Sequence, residues 1–324
     1  MITVPRITSW LLGALLLGAC SAAGKGSGFT GTGGQGGETA SGTTSGPSTT
    51  SGGTGGDPGV GGFGFGGSGG TNQGGAPPTC AEETQFVYTL AANNGLYKFD
   101  PPTTEFTYVG TLDCPSDFNS PFSMAVDRDG QAWVVFTDGS LYKVDTKNGH
   151  CTATSFQPGQ HGFTTFGMGF SSNGVGTTDE TLYVSESSFG GATLGLATID
   201  LKTMTLTPIG GYDKLQARAE MTGTGDAKLY GAFEGSPYIV AQVDKSNAHI
   251  LDQAPQSAIN YPPGSSNFAF AFWGGDFWLF VGPGTSTDVF HYKPSTGMTS
   301  FVKTVNMVIV GAGVSTCAPF KPPS

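Results

Sequence analysis

A chain of 324 residues with 24 acidic and 14 basic side chains, a formal charge of −10, is a poor electrostatic partner for nucleic acid or anionic lipid headgroups. Five cysteines without a CxxC pair, and the lack of a Walker loop, HExxH, GxSxG or EF-hand spacing, leave no motif that identifies a reaction, a cofactor or a metal site. Glycine is unevenly spread, with 24 of the 54 in residues 21–79, so the length is read as one folded domain behind a spacer.

Residues 1–19 read as a secretory signal: Arg6 precedes the apolar run Leu11-Leu12-Gly13-Ala14-Leu15-Leu16-Leu17, which is too short to span a bilayer. Residues 20–79 follow, rich in Gly, Ser and Thr, with Lys25, Glu38 and Asp57 as the charges after Cys20. Their apolar content is too low to offset chain entropy, so they are predicted to form a disordered stalk with a root-mean-square span of roughly 40–45 Å. Within them Gly31-Thr32-Gly33-Gly34-Gln35-Gly36 satisfies GxGxxG by composition alone, because the strand and helix that a dinucleotide site needs are missing.

The apolar run ends in Leu17-Gly18-Ala19-Cys20, which resembles the lipobox of bacterial lipoproteins. That resemblance implies that Cys20 is acylated and becomes the first residue. It also implies that Ser21, standing where an aspartate would favour inner-membrane retention, directs the protein to the outer membrane or cell surface. The lipid anchor would then be the chain's contact with the membrane. Loss of the signal leaves 13 basic against 24 acidic residues, and the four remaining cysteines suit two disulfides in an oxidising compartment.

From residue 80 to 319 one pattern recurs. Leu141-Tyr142-Lys143-Val144-Asp145 has degenerate copies at Leu96–Asp100, Leu196–Asp200, Val240–Asp244 and Val289–Lys293, each alternating apolar and polar residues as strands do. Four copies end in an aspartate that precedes turn residues, so these carboxylates are read as turn caps. A second strand precedes each copy, as at Ala132–Phe136. A third lies further upstream, as at Phe122–Val126, Phe166–Phe170, Ala219–Gly223 and Phe268–Phe272, with large and small residues alternating. A fourth follows each copy, as at Phe106–Leu112 and Thr205–Ile209. The first unit lacks its upstream strand, and Val310–Val314 at the far end has the missing pattern. Five units of about 48 residues predict a five-bladed β-propeller closed by the C-terminal strand, with a six-bladed ring or an irregular β-sandwich as the alternatives, and residues 320–324 as a tail.

The lipobox, the Gly-rich stretch, Thr222-Gly223-Thr224-Gly225-Asp226 and Phe272-Trp273-Gly274-Gly275-Asp276-Phe277 together resemble uncharacterised lipoproteins abundant in myxobacteria. The resemblance implies an envelope address and carries no activity with it. Ring closure pairs Cys80, just before the first strand, with Cys317, just past the last, and leaves Cys114 and Cys151 to pair by elimination. That second pair sits at nominally opposite blade edges, so the loop after Cys114 is expected to fold back.

Candidate contact residues are few. Glu220 stands in a column with Ser123, Gly167, Ala269 and Gly311, where every other unit has a small residue, so a carboxylate is expected near the axis. It is read either as a structural link, to Arg218 or to loop amides, or as a ligand for a cation or a sugar hydroxyl, with Arg218 a candidate ligand-binding residue beside it. His161, Tyr212 and Tyr261 fall in the longer connections between units, where loops of a propeller bind partners. Phe268, Phe270, Phe272, Trp273, Phe277, Trp278 and Phe280 are expected to pack between blades. Two function classes follow. One is a lipid-anchored, non-catalytic binding or scaffold module for a glycan, a peptide or another envelope protein. The other is a propeller hydrolase or lactonase, possible with metal assistance, which needs several acidic or histidine groups at one channel mouth.

Overall fold

Every copy of the repeated pattern forms a strand, because side chains that alternate in polarity can bury one face on each pleat. A computed structural model describes residues 80–187, 193–264 and 267–321; Cys20, the lipobox and residues 21–79 lie outside the described residues. Among the described residues, twenty strands make five four-stranded antiparallel sheets, and the other regular elements are two 3-10 turns, at Glu82–Gln85 and Gln160–Gly162.

Blade A takes β1 (Val87–Ala91), β2 (Gly95–Asp100) and β3 (Glu105–Thr111) from the start of the domain. Blade B is β4 (Pro121–Val126), β5 (Gln131–Phe136), β6 (Leu141–Asp145) and the short β7 (Cys151–Ala153). Blade C is β8 (Phe166–Ser172), β9 (Glu180–Glu186), β10 (Leu196–Asp200) and β11 (Thr205–Gly210). Blade D is β12 (Ala219–Gly223), β13 (Leu229–Phe233), β14 (Tyr238–Val243) and β15 (Ile250–Gln256). Blade E is β16 (Asn267–Trp273), β17 (Asp276–Gly282), β18 (Thr287–Lys293) and β19 (Met298–Val305). The last strand, β20 (Ile309–Val314), is the innermost strand of blade A, paired antiparallel with β1 from Val87↔Val314 to Ala91↔Ile309. The protein is a five-bladed β-propeller whose ring is closed by its C-terminal strand.

The core lies between blades rather than at the axis. Five apolar clusters fill the five interfaces, from Tyr88, Leu90, Met124 and Val134 between A and B to Phe99, Trp278, Phe280 and Val314 between E and A. The aromatic residues of blade E pack there as expected: Phe270 stacks on Phe277 at 5.3 Å, and Phe99 meets Trp278 edge-on at 5.0 Å. Small residues of the inner strands do the converse and let backbones converge. A β-carbon on Gly167 would overlap the Ala219 carbonyl oxygen and sit 2.8 Å from Glu220 Cα, so β8 and β12 pack this closely only with glycine there.

The motif aspartates cap turns: Asp145 Oδ1 accepts from Lys147 N at 2.8 Å, Asp200 Oδ1 from Lys202 N at 2.8 Å, and Asp244 Oδ1 from Ser246 N at 2.8 Å. Both disulfides are present, Cys80–Cys317 with Cα atoms 5.9 Å apart and Cys114–Cys151 with Cα atoms 4.9 Å apart. The second bond does not need the loop to fold back. Blade twist swings each outer strand round, so that the end of β3 abuts the turn into β7 of the next blade, and Cys114 already lies there. Asp113 marks the junction by accepting from Cys151 N at 2.7 Å, and Asp213 accepts from Ile250 N at 2.9 Å at the matching place between blades C and D.

Candidate functional site

The inner strands begin at one face of the ring, and their first residues enclose a pocket of about 260 Å³ at the mouth of the axis. Its walls are mostly apolar, from Pro121 and Phe122 of blade B, Phe268 of blade E, Val310 of β20 and Ala92 after β1. Ser120, Thr137 and Asn267 supply polar groups at the rim, with Arg218 on one wall and Glu220 at the floor.

Glu220 is 2% exposed, and its side chain crosses the axis: Ser123 Oγ in blade B donates to Glu220 Oε2 at 2.6 Å, past blade C, where Gly167 leaves the room. Burial pushes the carboxyl up to about 8, against the hydrogen bond from Ser123 and the charge of Arg218, so the group is protonated at pH 7. Arg218 is an expected structural partner of this carboxyl. Arg218 instead forks onto Glu234, with Nε donating to Oε2 at 2.6 Å and Nη2 to Oε1 at 2.8 Å, and lies 5.1 Å over the Phe268 ring. Two chemical reasons favour that choice. Glu234 offers bidentate geometry to the guanidinium, and the Gly264 amide, donating to Glu234 Oε1 at 2.8 Å, further fixes it.

The axis is covered on its other face by the chain that follows β20. Gly274 N donates to Pro319 O at 2.7 Å, and the Phe320 ring lies 5.8 Å from that of Phe272, so the chain stays against blade E as far as Phe320, the first of the residues read as a tail. Thr316 Oγ1 donates to Glu180 Oε2 at 2.7 Å and accepts from Arg128 Nη1 at 3.1 Å, while Arg128 N donates to Glu180 Oε1 at 2.8 Å. Desolvation pushes the Glu180 carboxyl up to about 7 despite those bonds.

The other residues singled out from the sequence are not at the mouth. Tyr212, expected on an exposed loop, is buried between blades C and D, where its hydroxyl donates to Ser185 Oγ at 2.9 Å and its ring meets Phe233 edge-on. Burial raises its pKa, as expected of a packed tyrosine. Tyr261 is half-buried against blade E with its hydroxyl on Asp288 Oδ2 at 2.6 Å; burial first, then that bond, push it up to about 12. His161 is exposed, but on the outer flank rather than the mouth, because its neighbour Gln160 binds Leu206 N at 2.9 Å and Met204 O at 3.0 Å at the edge of blade C. Sequence reasoning missed Glu234, which holds Arg218, and the mouth-lining Asn267 and Phe268. The signal available for the last two was their place at the start of the inner strand of blade E; Glu234 gave none.

A second cavity, of about 380 Å³, lies between blades E and A on the opposite face, where His291 Nε2 meets Asp276 Oδ2 at 2.8 Å and its ring stacks on Trp278 at 4.2 Å. Among the described residues no three His, Cys, Asp or Glu side chains converge as a metal site would require, and no helix is long and apolar enough to cross a membrane.

No family model matches the chain, and no curated protein matches it in sequence. Solved structures do resemble it. The Dos1 propeller is 15% identical over 73% of this chain and 72% of that one, with a TM-score of 0.37. A structure of the nidogen/laminin complex is 10% identical over 70% and 97%, with a TM-score of 0.45. The calcium-binding protein regucalcin from Agrobacterium tumefaciens is 14% identical over 69% and 76%, with a TM-score of 0.36.

Proposed function

We propose that the protein is a lipid-anchored envelope or surface protein that displays its propeller as a non-catalytic binding module. The mouth pocket receives one uncharged group of a larger envelope partner. The observation that carries this reading is the setting of Glu220, a single buried carboxyl held by Ser123 beneath apolar walls, with the neighbouring arginine already committed to Glu234. General acid and base work needs a second positioned group at the reacting atom, and Glu220 is the one carboxyl among the described residues that line the pocket. At about 260 Å³ the pocket falls below the range of whole drug-sized ligands, so it suits a single ring or side chain.

The rim residue Ser120 is exposed and lies on this pocket, so Ser120→Trp should obstruct the mouth without disturbing a blade interface. Full-length wild-type and Ser120→Trp proteins are cross-linked in the native envelope. A partner captured by the first and lost with the second is the expected result. The same partner held equally by both would overturn the mouth as the binding site.

Anchoring rests on Leu17-Gly18-Ala19-Cys20 and the Gly-rich residues behind it, which supply an attachment point and a spacer. Metabolic labelling with a fatty-acid analogue should tag the wild-type chain, and Cys20→Ala should lose the tag and leave the membrane fraction. An untagged wild-type protein would sink the anchor.

A further inference from the structure

We propose that the mouth pocket is a subsite for the acetamido group of an N-acylated amino sugar, with the Glu220 carboxyl donating to the acetamido carbonyl. The proposal rests on the binding-module reading above and names the ligand class of that same site.

Three features of the pocket select such a group. The first is a polar atom left over at its floor. Glu220 Oε2 is taken by Ser123, whereas Oε1 makes no hydrogen bond among the described residues, although the residue is almost fully buried and lines the pocket. Its neighbours in the inner column, Gly167, Ala269 and Gly311, have no polar side chain to offer. Oε1 opens onto the pocket, where a ligand atom with matching hydrogen-bonding character can complete the carboxyl.

The second feature is charge. The inner strands beside Glu220, namely β4, β8, β16 and β20, carry no ionisable side chain, and the charged groups near it are Arg218 and Glu234, which compensate each other. With Ser123 Oγ donating to Oε2, Oε1 is the oxygen left to face the pocket, and a proton held there makes it a donor for a ligand acceptor. A cation would need the carboxyl ionised where desolvation opposes it. An anion would find its guanidinium already neutralised by Glu234.

The third feature is the wall. Pro121, Phe122, Phe268 and Val310 surround the donor with apolar surface, and a bare sugar ring would press hydroxyls against it without partners. An acetamido group meets each demand at once. Its carbonyl accepts from Oε1, its methyl lies against the phenylalanines, and its N–H points back to the rim, where the Ser120 and Thr137 hydroxyls are exposed acceptors.

The test titrates the full-length protein with methyl N-acetyl-β-glucosaminide, methyl β-glucoside and N-acetylalanine methylamide by ligand-observed NMR, at pH 6 and pH 9.5. The acetamido glycoside is expected to bind at pH 6 about tenfold more tightly than the parent glycoside, the worth of one hydrogen bond. Its affinity should fall at pH 9.5, because the ionised carboxylate has lost its donor and faces a carbonyl oxygen. Glu220→Gln, whose amide donates at any pH, should remove that pH dependence. Equal binding of the two glycosides, or wild-type affinity that ignores pH, overturns the proposal. Preference for the acetylated amide overturns it in favour of a peptide and leaves the binding-module reading standing. So does an empty panel while Ser120→Trp still abolishes partner capture, whereas an empty panel with capture unaffected removes both.

Discussion

Serine at both Cys80 and Cys317 should lower the unfolding free energy by about 5 kcal/mol on the chain-entropy account of cross-links. The two cysteines are 237 residues apart, so the bond closes nearly the whole ring and denies the unfolded chain most of its end-to-end freedom. The folded ring has further ties across the same seam. β20 stays paired with β1, and the chain beyond it stays hydrogen-bonded to Glu180 and Arg128 through Thr316. The variant is therefore expected to fold and to unfold at lower urea, with near-native spectra at low denaturant. The Cys114–Cys151 bond spans a separation of 37, and its loss should lower stability by a smaller amount, about 4 kcal/mol. Urea unfolding of the double-serine and wild-type proteins, both kept oxidised, reads the difference. A shift below about 1 kcal/mol would show that covalent closure contributes little to the ring.

Glu220→Gln should make the protein more stable in alkaline buffer, and the size of the gain should itself depend on pH. The folded carboxyl titrates at about 8, well above the 4.5 of an ordinary glutamate, so the folded state keeps a proton that the unfolded chain releases. That retained proton favours the fold fully below pH 4.5, and the advantage is lost as pH rises to about 8. Glutamine keeps an oxygen for Ser123 and has nothing to ionise. The stability difference between variant and wild type should therefore grow by on the order of 4 kcal/mol between pH 4.5 and pH 9. Glu180, raised to about 7 on the other face, tilts both profiles alike and cancels in the difference. Paired urea titrations across that range check the result, and a difference that stays flat would mean that Glu220 ionises in the fold much as it does in water.

The parts of this protein legible in its sequence are those set by neighbours along the chain. Alternation in Leu141–Asp145 and its copies is a local property of a pleated strand, so it marks the blades, and the orphaned strand at Val310–Val314 reveals the closure and with it the Cys80–Cys317 bond. Aspartates at the ends of the copies cap their turns for the same local reason. The small-residue column even exposes Glu220 as the odd member, though its surroundings lie beyond local reading.

What only the tertiary structure decided depends on the radius of the ring and the twist of its blades, which no single segment carries. Ser123 is the partner of Glu220 because five inner strands, closely packed through glycines such as Gly167, bring residues 97 positions apart across one narrow axis. Arg218 turns to Glu234 because the forked carboxylate two strand-ends away fits a guanidinium better than a buried acid does. Twist carries Cys114 and Asp113 to the start of β7, and it takes the His161 turn to the flank of blade C while packing closes over Tyr212 between blades. Strand identity is a sum of local preferences, whereas the contents of the channel and of the blade junctions are collective outcomes of closing five twisted sheets into a ring.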